Sequence, residues 1–203
     1  MIRSYWSSSG RSGRRLKNWS LAMRKSYEDM SWRILLASPS LSDSVFEESV
    51  VLVLEDGPEG SLGLILNKPN RSTLGELSED FENGFLSNME VYFGGPVNPE
   101  RLTLAVWTDD AFSGGFSFGL DPARIEKIIK RNSAAKACAF LGCSTWGAGQ
   151  LKNEIDEGSW IISNADFPSV SELPLEELWS EMLMREVPKY RSLPPPYSDA
   201  GLN

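Results

Sequence analysis

The chain has 203 residues, of which 41% are hydrophobic, so it is long enough to bury a substantial core and is neither fibrous nor wholly disordered. It contains no histidine and two cysteines, which excludes Ser-His-Asp triads, Cys-His dyads, a disulfide-rich scaffold and most zinc sites. Residues 1–25 carry seven basic and no acidic residues, so residues 26–203 carry a formal net charge of −15, against −8 for the whole chain. This acidic body disfavours nucleic acid as a partner unless the basic segment makes the contacts.

Composition divides the chain into three parts. Residues 1–29 are rich in Ser, Arg and Gly and lack the continuous apolar run of a secretory signal, which predicts a basic flexible extension. The Arg- and Ser-rich, acid-poor composition also fits an organellar transit peptide. Residues 188–203 predict a proline-rich tail, and residues 30–187, which show no internal repeat, predict a single domain. The longest aliphatic run, residues 50–54, is too short to span a membrane. We therefore expect a cytoplasmic protein with no membrane contact.

Two extended segments begin the ordered body. Ile34–Ala37 is a short apolar run, and residues 49–55 are a β-branched run typical of a buried strand. Gly57-Pro58 supplies turn chemistry, and residues 61–67 predict the returning strand of a hairpin. Gly63 within that strand indicates a bulge or a close backbone approach.

A short acidic helix and two more strands follow. Either Ser72 or Thr73 is suited to cap a helix that is predicted to run through Phe81. Glu90–Phe93 and residues 102–107 lie on either side of a Gly-Gly-Pro-Val sequence, and their spacing predicts another strand pair.

The second half alternates helices with extended segments. Asp121 as N-cap and Pro122 at the first helical position predict a helix, and residues 136–143 predict a strand. A helix over residues 147–157, an extended segment over 159–163 and a last helix with an apolar stripe complete the pattern; the stripe consists of Leu175, Leu178, Trp179, Met182 and Leu183. Because the strands outnumber the helices and come in adjacent pairs, the predicted fold class is α+β rather than a doubly wound parallel sheet.

The two cysteines are predicted to be structural. Cys138 and Cys143 are five residues apart on the predicted strand, so strict alternation places their side chains on opposite faces. Neither belongs to a CxxC pattern, and free cysteine is among the most buried residue types. We expect no metal site and no cofactor.

Two segments place polar, turn-forming residues directly beside buried strands. Ser38-Pro39, followed by Asp43 and Phe46, connects the first two apolar runs, and residues 144–150 join a strand to a helix whose opening amides are free to bind an oxygen or an anion. In that helix Gln150 and Glu154 are four residues apart and share a face.

From these segments we predict one partly exposed depression that contains Asp43 and residues 146–154. In this prediction Gln150 and Glu154 orient an acceptor group bound by the amides, and Trp146 forms an apolar wall. The alternative interpretation is that Trp146 anchors the packing and the nearby glycines form a tight turn.

Four sequence motifs, in order and spacing, resemble the AlgH/YqgE family of small bacterial proteins. They lie within residues 33–165 and read LLASPSLSDSVFEESVVLVLE, GSLGLILNKP, VYFGGPV, and TWGAGQLKNEI followed by Ser159-Trp160. The resemblance implies a compact α+β fold whose mostly antiparallel, bifurcated sheet includes a small closed barrel surrounded by helices. It brings no established reaction, although the family is often labelled a transcriptional regulator.

The resemblance also implies which positions matter. The family positions are Ser38, Pro39, Asp43, Phe46 and Ser49, then Gly63, Asn67 and Pro69, then Gly94, Gly95 and Pro96, and finally Trp146, Gly149, Gln150, Glu154 and Trp160. The candidate ligand-binding residues are Ser38, Pro39, Asp43, Asn67, Trp146, Gly147, Gly149, Gln150 and Glu154. Where relatives commonly carry histidine, this chain has Glu55-Asp56 and Val106-Trp107, and residues 142–146 replace a Gly-Tyr-Ala-Gly-Trp run, so no function that relies on those histidines is expected.

Three functional hypotheses follow. The first, which we favour, is a non-catalytic binding or regulatory domain that recognises a small molecule or a protein through the two polar segments. The second is a nucleic-acid-binding regulator whose basic segment contacts phosphates. The third is a carboxylate-dependent enzyme that uses Asp43, Glu55 or Glu154, which requires these acids to converge in a pocket.

Overall fold

The described strands of the chain form one curled sheet. The structure is a computed structural model and describes residues 29–42, 44–108, 115–163, 170 and 173–188. The nine strands of this part are β1 (Ile34–Ala37), β2 (Val50–Gly57), β3 (Gly60–Ile65), β4 (Pro69–Thr73), β5 (Glu90–Phe93), β6 (Val97–Trp107), β7 (Phe116–Phe118), β8 (Lys136–Gly147) and β9 (Trp160–Ser163). Their order is β4-β5-β8-β3-β2-β1-β9, and β6 pairs with both β7 and β8. Each described pair is antiparallel except β5 with β8.

Helices pack against several of these strands. The described residues form four α-helices, α1 (Leu74–Leu77), α2 (Pro122–Arg131), α3 (Gln150–Asp156) and α4 (Leu175–Glu186), and a 3-10 helix over Glu79–Phe81. Helix α2 contacts β6 and β8, α3 contacts β3, β8 and β9, and α4 contacts β1 and β9. No helix within the described ranges has the length and apolar character that crossing a membrane requires. The fold is α+β, as the sequence predicts.

Strands β1 to β3 form the centre of the sheet. The side chains of β1 and the first five of β2 are buried, which explains why both read as continuous apolar runs rather than as alternating ones. Successive residues contribute to different core clusters: Leu52 packs in one and Val51 in the next. The predicted hairpin is confirmed, and Gly63 of β3 pairs with Val53 beside a β-bulge in β2.

The long strand β8 joins the two halves of the sheet, one that contains β4 to β7 and one that contains β1 to β3 and β9. Its residues pair with β6 from Lys136 onward, with β5 in the middle, and with β3 at Ser144 and beyond. Between its pairing with β5 and its pairing with β3, at a point that we name the crossing of β8, Gly142 has a φ of 69°. A Cβ at this position would lie 2.3 Å from the carbonyl oxygen of Gly95. A Cβ at Gly94 would lie 2.5 Å from the carbonyl oxygen of Gly142, and one at Gly95 would lie 2.3 Å from the carbonyl carbon of Cys143, so the glycines of the Gly-Gly-Pro-Val motif allow the same close approach.

Two predictions about elements are corrected, and one strand was not predicted. The predicted helix through Phe81 is interrupted at Ser78, whose φ of −150° and ψ of 126° end α1 before the 3-10 helix begins. Thr73 is the N-cap, in a reciprocal capping box with Glu76. Strands β5 and β6 do not pair with each other, because β8 lies between them. Strand β4 was not predicted, since its sequence Pro-Asn-Arg-Ser-Thr lacks typical strand formers.

The two cysteines border the same core cluster rather than lying on opposite faces. Cys138 is buried within that cluster, and Cys143 is half-buried against it. The left-handed Gly142 and a register shift between β6 and β8 interrupt the strict alternation between them. Both thiols are free, and burial raises the pKa of Cys138 to about 12 and raises that of Cys143 as well.

Candidate functional site

Two tryptophans share one carboxylate at the end of β8. The indole nitrogen of Trp146 donates to Oε2 of Glu154 at 2.9 Å, and the indole nitrogen of Trp160 donates to the same oxygen at 2.7 Å. Trp146 is 5% exposed and Trp160 is 3% exposed. Trp146 lies near the end of β8, Glu154 in α3 and Trp160 at the start of β9, so the carboxylate ties three consecutive elements together.

Gln150 completes this network from the first turn of α3. Its Oε1 accepts a hydrogen bond from the backbone nitrogen of Gly147 at 2.9 Å, and its Nε2 donates to Oε1 of Glu154 at 2.8 Å. The predicted common face of Gln150 and Glu154 is therefore confirmed. Gly149 caps the helix in a left-handed conformation, with a φ of 73°.

Phe46 brings the first polar segment to the same place. Its ring stacks with that of Trp146 at 6.4 Å between centroids and meets the ring of Trp160 edge-on at 5.5 Å. The rings of Trp146 and Trp160 are themselves 5.9 Å apart in a T-shaped arrangement. We name Phe46, Trp146, Gln150, Glu154 and Trp160 the tryptophan–glutamate cluster.

Strand β3 packs closely against this cluster at Gly63. A Cβ at Gly63 would lie 3.2 Å from Cζ3 of Trp146 and 2.9 Å from the carbonyl oxygen of Leu52. The glycine therefore allows the indole ring to lie directly on β3, which is the close approach that the sequence indicates.

The predicted residues of the first segment lie at the edge of the cluster. Ser38 is half-buried, and its backbone nitrogen donates to the carbonyl of Ser159, the residue before Trp160. Pro39 is exposed. Asp43 lies outside the described residues, so its meeting with residues 146–154 stays a prediction.

Asn67 has a different position from the other candidates. Its Oδ1 accepts from the backbone nitrogen of Val50 and its Nδ2 donates to the carbonyl of Glu48, both at 2.8 Å. The Asn67 side chain therefore binds the backbone at the end of the connection between β1 and β2. It also lines a depression of about 330 Å³, which we name the polar depression; its lining residues are Ser44, Glu47, Glu48, Asn67, Lys68, Leu175 and Glu176.

Lys68 is the basic residue of the polar depression. Its Nζ donates to the carbonyl of Val45 at 2.8 Å, and burial lowers its pKa, although the charges of Glu47 and Glu48 act in the opposite direction. The side chain is therefore fixed against the chain's own backbone.

The structure does not bring the candidate carboxylates of the enzyme hypothesis into one described pocket. Glu55 is exposed on β2, opposite Leu62 of β3, whereas Glu154 is half-buried and bonded to two indoles. Across the described ranges, no group of three or more acidic or cysteine side chains is arranged to hold a metal ion.

Two residues of the cluster, Phe46 and Trp160, are family positions that the predicted set of ligand-binding residues does not include. A pair of tryptophans that flank a helix with a glutamate on its inner face is the signal that points to such a network. Ser49 is also notable, because its buried Oγ has no hydrogen-bond partner among the described residues.

Comparisons with known proteins agree with this architecture. A family model described as AlgH-like matches residues 34–191. The UPF0301 protein Smlt1098 of Stenotrophomonas maltophilia is 36% identical over 157 residues, which cover 72% of this chain and 83% of that protein. The UPF0301 protein XCV3063 of Xanthomonas euvesicatoria is 35% identical over 157 residues, which cover 72% of this chain and 84% of that protein.

Two solved structures share the fold. The solution structure of AlgH from Pseudomonas aeruginosa has a TM-score of 0.61 at 24% identity and covers 84% of this chain and 92% of that one. The crystal structure of DIP2367 from Corynebacterium diphtheriae has a TM-score of 0.59 at 22% identity, and the match covers 82% of this chain and 93% of that one. From the match of its sequence over residues 34–191, the chain belongs to the AlgH-like family, UPF0301.

Proposed function

We propose that this protein is a non-catalytic binding or regulatory module that recognises its ligand at the tryptophan–glutamate cluster. The observation that carries the proposal is the packing of Phe46 on both tryptophans, at 6.4 and 5.5 Å between centroids. It joins two segments about a hundred residues apart into one surface. Aromatic rings beside a few fixed polar groups are typical of ligand sites.

The contacts of Glu154 favour binding over turnover. A general acid or base needs a carboxylate that is presented to the substrate. Here both oxygens of Glu154 accept hydrogen bonds from Trp146, Trp160 and Gln150, so the charge is fixed in place. A fixed charge can orient a ligand without exchanging a proton with it.

The proposal also includes the cellular compartment of the protein and the shape of its sheet. We place the protein in the cytoplasm, and its two free thiols are in keeping with a reducing compartment. We also propose that the sheet forks at β8 and encloses a small barrel. The support is that β8 pairs with β3 at one end and with β5 and β6 over the rest of its length.

A thermal-shift screen with a panel of metabolites tests the binding function. A ligand of the cluster should raise the melting temperature of the wild-type chain and lose most of this effect in Trp160→Phe, which lacks the indole donor. The matched control is Phe85→Ala, because Phe85 is 54% exposed and lies beside Lys130 of α2 rather than at the cluster. A ligand that stabilises Trp160→Phe as much as the wild type would contradict the proposal.

A further inference from the structure

We propose that the tryptophan–glutamate cluster accepts an organic ammonium cation, and that the ring of Phe46 covers this site in the present structure. The inference rests on the proposed binding function and adds the chemical class of the ligand.

The composition of the cluster suits a cation with apolar substituents. Proteins bind quaternary and alkylated ammonium groups between aromatic faces, where the ring quadrupoles attract the charge. Trp146 and Trp160 provide two rings, at an interplanar angle of 78°, and the ring of Phe46 contacts both of them. Glu154 adds a formal negative charge next to both indoles.

The carboxylate of Glu154 has no cationic partner within the described ranges. Lys130 pairs with Glu126 and Lys152 pairs with Asp156, each as an exposed pair within one helix, and neither pair includes Glu154. Glu154 is half-buried and has only neutral donors, two indoles and an amide. A partly desolvated charge without a counter-charge attracts a ligand of opposite sign.

Phe46 sits on a turn that is held at some conformational cost. This turn, residues 44–49, contains Glu48 with a φ of 51° and ends at Ser49, whose buried hydroxyl lacks a described partner. Left-handed residues and unsatisfied buried groups are found where the surrounding structure imposes them, often at functional sites. Phe46 itself is only half-buried, so its ring can leave the two indoles without unfolding a strand.

The charge around Phe46 also favours a cation. Glu47 and Glu48 follow it on the turn and are exposed, and the body of the chain is strongly acidic. A base, Lys68, contacts the turn as well, but its Nζ donates to the carbonyl of Val45 and lines the polar depression. The positive charge of Lys68 is therefore already engaged outside the aromatic cluster.

The test compares choline with its neutral carbon isostere, 3,3-dimethyl-1-butanol, on the full-length chain. The indole N–H resonances are followed in a ¹⁵N-labelled sample at constant ionic strength and are assigned with single Trp→Phe variants. We expect choline to shift the Trp146 and Trp160 resonances saturably and the neutral isostere to bind at least about tenfold more weakly. The internal control is Trp107, whose indole nitrogen donates to Sγ of Cys138.

Two variants keep the inference falsifiable if one of them folds poorly. Glu154→Gln retains an oxygen for the indoles and loses the charge, so it should weaken choline binding about tenfold or more. Phe46→Ala removes the cover, so it should bind choline about tenfold more tightly, because no ring has to be displaced first. Phe85→Ala should bind choline like the wild type.

Equal binding of choline and its neutral isostere would overturn the inference, as would the absence of saturable indole shifts in both the wild type and Phe46→Ala. If the cation fails but a neutral compound from the metabolite panel acts at the cluster, the ligand class is wrong and the binding function stands. If the panel compounds act only elsewhere, the proposed function itself fails.

Discussion

Glu154 is the residue on which the tryptophan–glutamate cluster depends. The spacing of four residues between Gln150 and Glu154 predicts that they share a helix face, and they do. The spacing does not predict that Trp160 returns to the same carboxylate, because that depends on the turn after α3, which includes the left-handed Gly158, and on the pairing of β9 with β1.

Removing the carboxylate should destabilise the protein strongly. Glu154→Ala leaves the indole N–H groups of Trp146 and Trp160 without their acceptor, and each unsatisfied buried donor costs about 1–3 kcal/mol, so we expect a loss of about 2–6 kcal/mol in the free energy of unfolding. Glu154→Gln keeps an acceptor for the two indoles but turns an amide donor toward Nε2 of Gln150, so it should lose less than the alanine variant, about 1–2 kcal/mol. Urea unfolding measures both. A loss below about 0.5 kcal/mol in the alanine variant would show that the two indoles find other acceptors.

Ser49 offers a test with the opposite sign. Its hydroxyl is buried without a described partner, so Ser49→Ala should leave the free energy of unfolding unchanged or raise it by up to about 1 kcal/mol. The matched control is Ser144→Ala, because the equally buried Ser144 donates to the carbonyl of Gly94 at 3.3 Å and should lose about 1 kcal/mol. Thermal unfolding compares the two, and a clear destabilisation of Ser49→Ala would mean that its hydroxyl is bonded in solution.

At the scale of elements, sequence patterns predict most of the strands and helices and fail where a residue's role depends on a distant strand. The N-cap of α2 is correct, with Asp121 accepting from the backbone nitrogen of Arg124 at 2.7 Å. Strand β8 extends four residues beyond its predicted end at Cys143, because pairing with β3 keeps a polar stretch extended. The class of most elements is local, whereas their ends and partners are not.

The crossing of β8 gives an element-scale prediction. Gly142→Ala should destabilise the protein by more than about 3 kcal/mol, because the new Cβ meets the carbonyl of Gly95 in addition to the unfavourable positive φ. Gly149→Ala is the matched control: its φ is similar, at 73°, but no atom lies within 4 Å of the added Cβ, so its cost should be about 1 kcal/mol. Chemical denaturation of both variants measures the difference. Equal losses would show that the two backbones can separate at the crossing.

On the scale of the whole molecule, the sequence indicates the fold class but not the arrangement of the sheet. The parallel pairing of β5 with β8 joins segments nearly fifty residues apart, and no local periodicity encodes it. The candidate site shows the same limit. The described structure brings Phe46 to Trp146 and Trp160, but it places Asn67 at the polar depression instead.

Chemical-shift mapping of the full-length protein tests most directly whether the cluster is a binding surface. The probe is the compound of the metabolite panel that raises the melting temperature most, titrated into ¹⁵N-labelled protein. The account predicts saturable shifts in the amides of the Phe46 turn and α3 and in the indole N–H groups of Trp146 and Trp160. Shifts confined to the lining of the polar depression, such as Asn67, Lys68 and Glu176, with unchanged indole resonances, would contradict it.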